Sequence, residues 1–169
     1  MGMRWGYKKY TLGTMMLVVG LTLLVVGEAG AAKKMPSFSE KAIGSGETIN
    51  SNDLIGKVLL INFWATWCPP CREEIPVFKK FQTEYGPKGF SVIGVSIDQG
   101  GSRVVEKFVK KMKMNYPVFI GGSKLTREFG GVIGIPASFL VDRDGNLVNR
   151  YDGFVSEEIL RRDLEKQLN

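Results

Sequence analysis

From Val58 to Trp64 the chain reads Val-Leu-Leu-Ile-Asn-Phe-Trp, apolar at almost every position, which predicts a strand covered on both faces. Beyond it Ile75, Phe78, Phe81 and Tyr85 recur at intervals of three and four, the spacing of one helix face. That helix is expected to begin just after Cys68, where a proline sacrifices no helical hydrogen bond, and to stop at Gly86-Pro87. Pro76 falls inside it and predicts a kink. A second buried strand is expected from Phe90 to Ile97. Ser102 is then expected to cap a helix carrying Val104, Val105, Phe108, Val109 and Met112 on one face. Tyr116 to Ile120 reads as a third strand and Leu125 to Phe129 as a short helix. Ala137–Val141 and Leu147–Tyr151 flank Asp-Arg-Asp-Gly-Asn, a hairpin signal. Ser156 is expected to cap a last helix with Ile159, Leu160, Leu164 and Leu168 as its apolar positions. Residues 33–57 are polar and rich in Gly and Ser, with room for one short hairpin. Strands and helices alternate before a closing hairpin and helix, and no segment repeats. The fold class is therefore α/β, a mixed central β-sheet flanked by helices.

One stretch lies apart from this pattern. Thr11 to Gly27 carries no charge and is apolar all round; Arg4, Lys8 and Lys9 precede it and Glu-Ala-Gly-Ala-Ala follows. This is the layout of an export signal, and the run also approaches the ~17-residue lower limit of a membrane-spanning helix. Residues 1–32 are thus expected to be a signal peptide or an N-terminal membrane anchor, with cleavage and retention both open, and residues 33–169 the exported domain. The cations before the run place that domain on the outer side, in the periplasm or at the outer face of the cytoplasmic membrane.

Composition narrows the chemistry. The 169 residues carry a formal charge of +6, but cations alternate with acids and no long basic run occurs, so no nucleic-acid partner is expected. There is no histidine, which excludes His-based triads, His proton shuttles and imidazole metal sites. The two cysteines, Cys68 and Cys71, can build neither a disulfide scaffold nor a four-cysteine zinc site.

Those cysteines stand in Trp67-Cys-Pro-Pro-Cys71, where the buried strand meets the helix. A thiolate at a helix start faces free N–H groups and the positive end of the helix dipole, which lower its pKa from about 8.5. Cys68 is expected to be the exposed attacking thiolate and Cys71, one turn into the helix, the shielded resolving thiol. A purely structural disulfide here would close too small a ring to stabilise much, and no further Cys or His completes a half metal site. Redox chemistry is the reading that fits. No cofactor signature or metal site is found; the Cys68–Cys71 pair is the redox centre.

Asn62-Phe-Trp-Ala-Thr-Trp-Cys-Pro-Pro-Cys71, followed by Glu74 and Pro76, resembles the active-site segment of the thioredoxin-like TlpA/ResA family of thiol–disulfide oxidoreductases, which are exported or membrane-anchored and include cytochrome c maturation proteins. Gly134-Ile-Pro-Ala-Ser-Phe-Leu-Val-Asp142 with Gly145 resembles the second signature of that family, and the stretch between Gly100 and Gly122 fits its central insertion. The resemblance covers roughly Pro36 to Leu168 and implies a thioredoxin-like fold with an N-terminal extension. Phe90 to Asp98 also looks like peroxiredoxin sequence, but the peroxidatic Thr-x-x-Cys arrangement is missing.

The resemblance implies that Pro136 is cis and sets the Ile135 backbone beside the Cys68 sulfur, where its N–H and C=O can pair with a substrate strand; a plain loop proline is the alternative. Trp67 is expected to shield the disulfide and offer an apolar docking face, with core packing as the competing role. Glu74, three residues after Cys71, shares its helix face, and the resemblance implies a functional Glu there. Asn62 occupies the place where thioredoxin has a buried Asp and cannot take up a proton, so proton handling for Cys71 falls to Glu74; a solvated surface acid like Glu73 is the alternative. Pro69 and Pro70 remove two N–H donors between the cysteines, which acidifies Cys68 less and favours a reductant, with Arg72 offsetting part of this.

The function expected is reduction of protein disulfides in the cell envelope, with the heme-attachment cysteines of apocytochrome c as the substrate. The resemblance implies a membrane thiol carrier as electron donor. A general envelope reductase, a reductase of copper-site cysteines, or a non-catalytic copper or apoprotein carrier are the alternatives. Ala137 stands where cytochrome c specialists of the family often carry an acid after the proline.

Overall fold

Two seven-residue runs without one exposed position, Val58–Trp64 and Phe90–Ser96, lie side by side and parallel at the centre of the sheet. Their β-branched and aromatic side chains suit a pleated surface covered on both sides. The computed structural model describes residues 32–169, together with Gly2; the apolar run of residues 11–27, read as a leader or anchor, lies outside the described residues. Residues Ala32–Asn169 form one unit. In chain order its strands are β1 (Ser39–Lys41), β2 (Thr48–Asn50), β3 (Val58–Trp64), β4 (Phe90–Ser96), β5 (Val118–Ile120), β6 (Ala137–Val141) and β7 (Leu147–Asp152). Its helices are α1 (Pro69–Tyr85), α2 (Ser102–Met112), α3 (Ser123–Glu128) and α4 (Glu157–Leu168). Among the described residues, no helix is long and apolar enough to cross a membrane.

The five-stranded sheet has the order β5-β4-β3-β6-β7. β4 is parallel to β3 and β5, whereas β6 is antiparallel to β3 and β7. β1 and β2 form a separate antiparallel hairpin. Alternation along β3 divides the core. Val58, Leu60 and Trp64 join Phe78, Phe81, Val105, Leu160 and Leu164, so α1, α2 and α4 cover one face. Leu59, Ile61 and Phe63 join Phe38, Ile49, Leu125, Phe129 and Phe139, so the hairpin and α3 cover the other. This is the thioredoxin-like α/β arrangement of a mixed sheet flanked by helices.

Two expectations about boundaries change. Ser102 is not a cap: the cap is Gly101, at φ 78° and ψ 177°, and Ser102 is the first helical residue. A positive φ costs glycine little, so the chain turns one residue earlier. The third strand begins at Val118 rather than Tyr116, because Pro117 cannot donate to the ladder, although its carbonyl accepts from the Gly94 N–H. α1 runs unbroken through Pro76. The turn after β6 is tied by Asp142, whose carboxylate accepts the N–H groups of Asp144 and Asn146 at 3.0 and 2.8 Å.

Candidate active site

The end of β3 delivers Cys68 to the start of α1. Cys68 is the N-cap, and its sulfur accepts the Cys71 N–H at 3.3 Å. The two sulfurs are bonded, with S–S 2.02 Å and the Cα atoms 5.4 Å apart. Pro69 and Pro70 fill the first turn, where helix N–H groups have no carbonyl partner. Cys71 is 1% exposed, as expected of the shielded partner. Cys68 corrects an expectation: read as the exposed thiol, it is only 3% exposed and packs with Trp64, Ala65 and Phe78. Its sulfur is turned along the helix start into the disulfide. The exposed side chains around it belong to Trp67, Pro69, Pro70 and Arg72. Trp67 is 63% exposed and thus no part of the core.

Glu74 lies in the buried register of α1, in step with Cys71, Ile75 and Phe78. It is 1% exposed, whereas Glu73 is exposed. Its Oε1 accepts the Val155 N–H at 2.9 Å, and its Oε2 has no partner. Removal from water pushes its carboxyl up to about 7, with the Val155 hydrogen bond pulling the other way. Burial holds the Tyr116 phenol well above its ordinary range, and the neighbouring Glu74 charge adds to that.

Asn62 is buried, and its Nδ2 donates to Ser138 Oγ at 2.9 Å, joining β3 to β6. By alternation it points toward α1, as Leu60 and Trp64 do. The Ile135–Pro136 bond is cis. Since Phe63 pairs with Ala137, Pro136 is level with Trp64, beside the segment leading to Cys68. Ile135 packs against the cluster that holds both cysteines. The Pro136 carbonyl accepts from Gly153 at 2.8 Å, while no hydrogen bond among the described residues uses the Ile135 N–H or C=O.

Three features escaped the sequence reading. Asp98, buried just past β4, accepts the Thr66 N–H at 2.9 Å, the Thr66 hydroxyl at 2.6 Å and the Ser96 hydroxyl at 2.8 Å. It thereby pins the loop that carries Trp67 and Cys68; an acid ending an apolar strand was the available signal. Ile133 and Phe154 are the other two, 100% and 53% exposed. Ile133 precedes the cis-proline loop, and Phe154 sits between Gly153 and Val155, the residues bonded to Pro136 and Glu74. Both fall outside the strands and helices, so no period marks them.

Comparison with known proteins agrees with this geometry. The Redoxin family model matches residues 30–168. The chain belongs to the Redoxin family. Within this family it is similar to the thiol-disulfide oxidoreductase ResA of Bacillus thuringiensis subsp. konkukian, 34% identical over 135 residues that span 79% of this chain and 76% of that one. The thioredoxin-like protein YneN of Bacillus subtilis is 30% identical over 135 residues, 79% of this chain and 78% of YneN. Among solved structures, a thiol:disulfide interchange protein of Chlorobium tepidum TLS superposes with a TM-score of 0.75 at 34% identity, covering 82% of this chain and 97% of that one. StoA of Bacillus subtilis superposes with a TM-score of 0.64 at 29% identity, covering 76% and 96%. This Redoxin protein is a thiol–disulfide oxidoreductase of the ResA/TlpA type.

Proposed function

We propose that the protein reduces protein disulfides in the cell envelope, its substrate being the heme-attachment cysteines of apocytochrome c. The observation that carries the exchange chemistry is the buried Glu74, one helical turn beyond the resolving Cys71. The reductive direction follows from Pro69 and Pro70, which leave the turn between the cysteines without two N–H donors. The Cys68 thiolate attacks one sulfur of the substrate disulfide. A mixed disulfide forms, and the departing substrate thiolate takes a proton from solvent. Cys71 then gives its proton to the ionised Glu74 carboxylate and attacks Cys68; the Cys68–Cys71 bond forms and the second substrate thiolate leaves. One disulfide is made for each one broken. Re-reduction requires two electrons from a dithiol donor, which the family resemblance assigns to a membrane thiol carrier, reached from an anchor or leader in residues 11–27.

The other residues act on this pair. Trp67 supplies an apolar docking surface, and Pro136 holds the free N–H and C=O of Ile135 toward a substrate strand. Asn62, buried and bonded to Ser138, offers no group that takes up a proton. Pro69 and Pro70 withhold two N–H donors from the Cys68 thiolate, so its disulfide is less oxidising. Ala137 leaves the site without an acid after the cis-proline, which favours general envelope reduction as the second reading.

The test is capture. Cys71→Ala in the full-length chain leaves Cys68 unable to resolve, so envelope proteins bearing a mixed disulfide to it accumulate. Apocytochrome c among them upholds the narrow reading, whereas a varied set of proteins supports the general one. A chain that reduces no insulin disulfide yet holds Cu(I) tightly is a carrier.

A further inference from the structure

Between the Cys68 loop and α2 runs a groove lined by Thr66, Trp67, Arg72, Val104, Phe108, Lys107 and Lys111. Its apolar side is Trp67, Val104 and Phe108. Its charged side holds three cations and no carboxylate, and none of the three is in an ion pair among the described residues. Local physics disfavours a cation at Arg72 and sets Lys107 against Lys111, although Lys111 itself lies in the last turn of α2, where the dipole favours a cation. Arg72 lies near the start of α1, where the helix dipole disfavours a cation, and its guanidinium sits 5.9 Å from the Phe108 ring centroid. Lys107 and Lys111 are four residues apart on α2, a spacing at which like charges repel. Glu106, the acid of that helix, pairs with Lys110 at 2.6 Å instead.

We propose that this groove receives the substrate polypeptide on one side of its disulfide, and that it selects segments carrying carboxylates next to an apolar side chain near the reacting cysteine. The proposal rests on the reductase reading and names the chemistry of its substrate. The sheet order supports it: β4 and α2 lie on one side of β3, β6 and the Ile135 loop on the other. The backbone of Ile135 engages one flank of the disulfide in a way that is blind to sequence, and the cationic groove reads side chains on the other flank. Opposite charge fits the three unpaired cations and steers encounter, while Trp67, Val104 and Phe108 accept the apolar neighbour.

The test uses the full-length chain and three disulfide peptides identical except for Glu, Gln or Lys at the positions flanking the cysteines. The Glu peptide is expected to have a kcat/KM about tenfold above the Lys peptide, the combined effect of three solvent-exposed ion pairs. That ratio falls toward one at about 1 M salt, where the Debye length is about 3 Å. Lys107→Glu with Lys111→Glu abolishes or inverts the preference between the Glu and Lys peptides. A second measurement, titration with peptides whose cysteines are replaced by serine, reads the same preference without redox chemistry. Equal rates and affinities for all three peptides, or a preference untouched by the double variant, overturn the groove while leaving the reductase reading intact. If none of the peptides is reduced, the reductase reading fails, and with it the substrate proposal.

Discussion

Glu74 is a buried acid near the start of the helix that holds the disulfide, and its protonation is expected to mark stability as well as rate. Its carboxyl is raised from 4.5 to about 7 in the folded chain. Below pH about 4.5 it is protonated in both folded and unfolded states and costs nothing. Between pH about 4.5 and 7 the unfolded chain ionises while the folded chain holds the proton, so folding stability declines, by up to about 3 kcal/mol, and levels off above the folded value. Glu74→Gln keeps an oxygen for the Val155 N–H and cannot ionise. The variant is expected to lose this slope and to be more stable than the parent at pH 8 in urea titrations from pH 4 to 8. Its exchange rate is expected to fall about tenfold or more, with the pH-dependence near 7 removed, as for loss of a proton acceptor. A variant that is neither more stable at pH 8 nor altered in its pH–rate profile would show Glu74 to be a bystander.

At the scale of elements, Asp98 joins the end of β4 to the loop entering α1 through three acceptor contacts. Asp98→Ala strands the Thr66 N–H and two hydroxyls, costing about 2–4 kcal/mol, to be read as a lower denaturant midpoint. Thiol exchange at Cys68 is expected to slow, since Trp67 and Cys68 lose their fixed approach. Gly94 is a second junction. A Cβ there would come within 3.0 Å of Val118 Cγ2 and 3.1 Å of Trp64 Nε1, so Gly94→Ala is expected to destabilise by about 1–3 kcal/mol through overpacking. These sites mark what the sequence could and could not convey. Strands β3 and β4, helices α1 and α4 and the β6–β7 hairpin were legible, because period, caps and turn residues are local signals. So were Cys68 and Cys71, and Glu74 could be read from its place in the helix register. Gly101 displaced Ser102 as a cap because a left-handed backbone angle leaves no trace in hydrophobic period. Asp98, Phe154 and the true burial of Cys68 depend on residues far apart in the chain, which no spacing rule encodes.

Across the whole molecule, the disulfide is nearly covered, and large apolar side chains stand exposed at separated points: Trp67 from the Cys68 loop, Ile133 from the segment that leads through the cis-proline into β6, and Phe154 from the segment after β7. Large apolar side chains left in water beside a reactive centre are what a docking rim requires. Two of them are backed by fixed structure: Trp67 follows the pinned Thr66, and Phe154 lies between two residues bonded to Pro136 and Glu74. A folded or extended polypeptide can press on all three while its cysteine reaches Cys68; a small disulfide touches only the sulfur. Rim substitutions therefore separate docking from chemistry. Phe154→Ser and Ile133→Ser are each expected to lower kcat/KM for a protein disulfide about three- to tenfold through weaker binding, with reduction of hydroxyethyl disulfide unchanged. The two residues lie in different segments of the chain, so the double variant should lose about the product of the single effects. Equal losses on the protein and the small disulfide would mean that these side chains hold the site together rather than receive a partner.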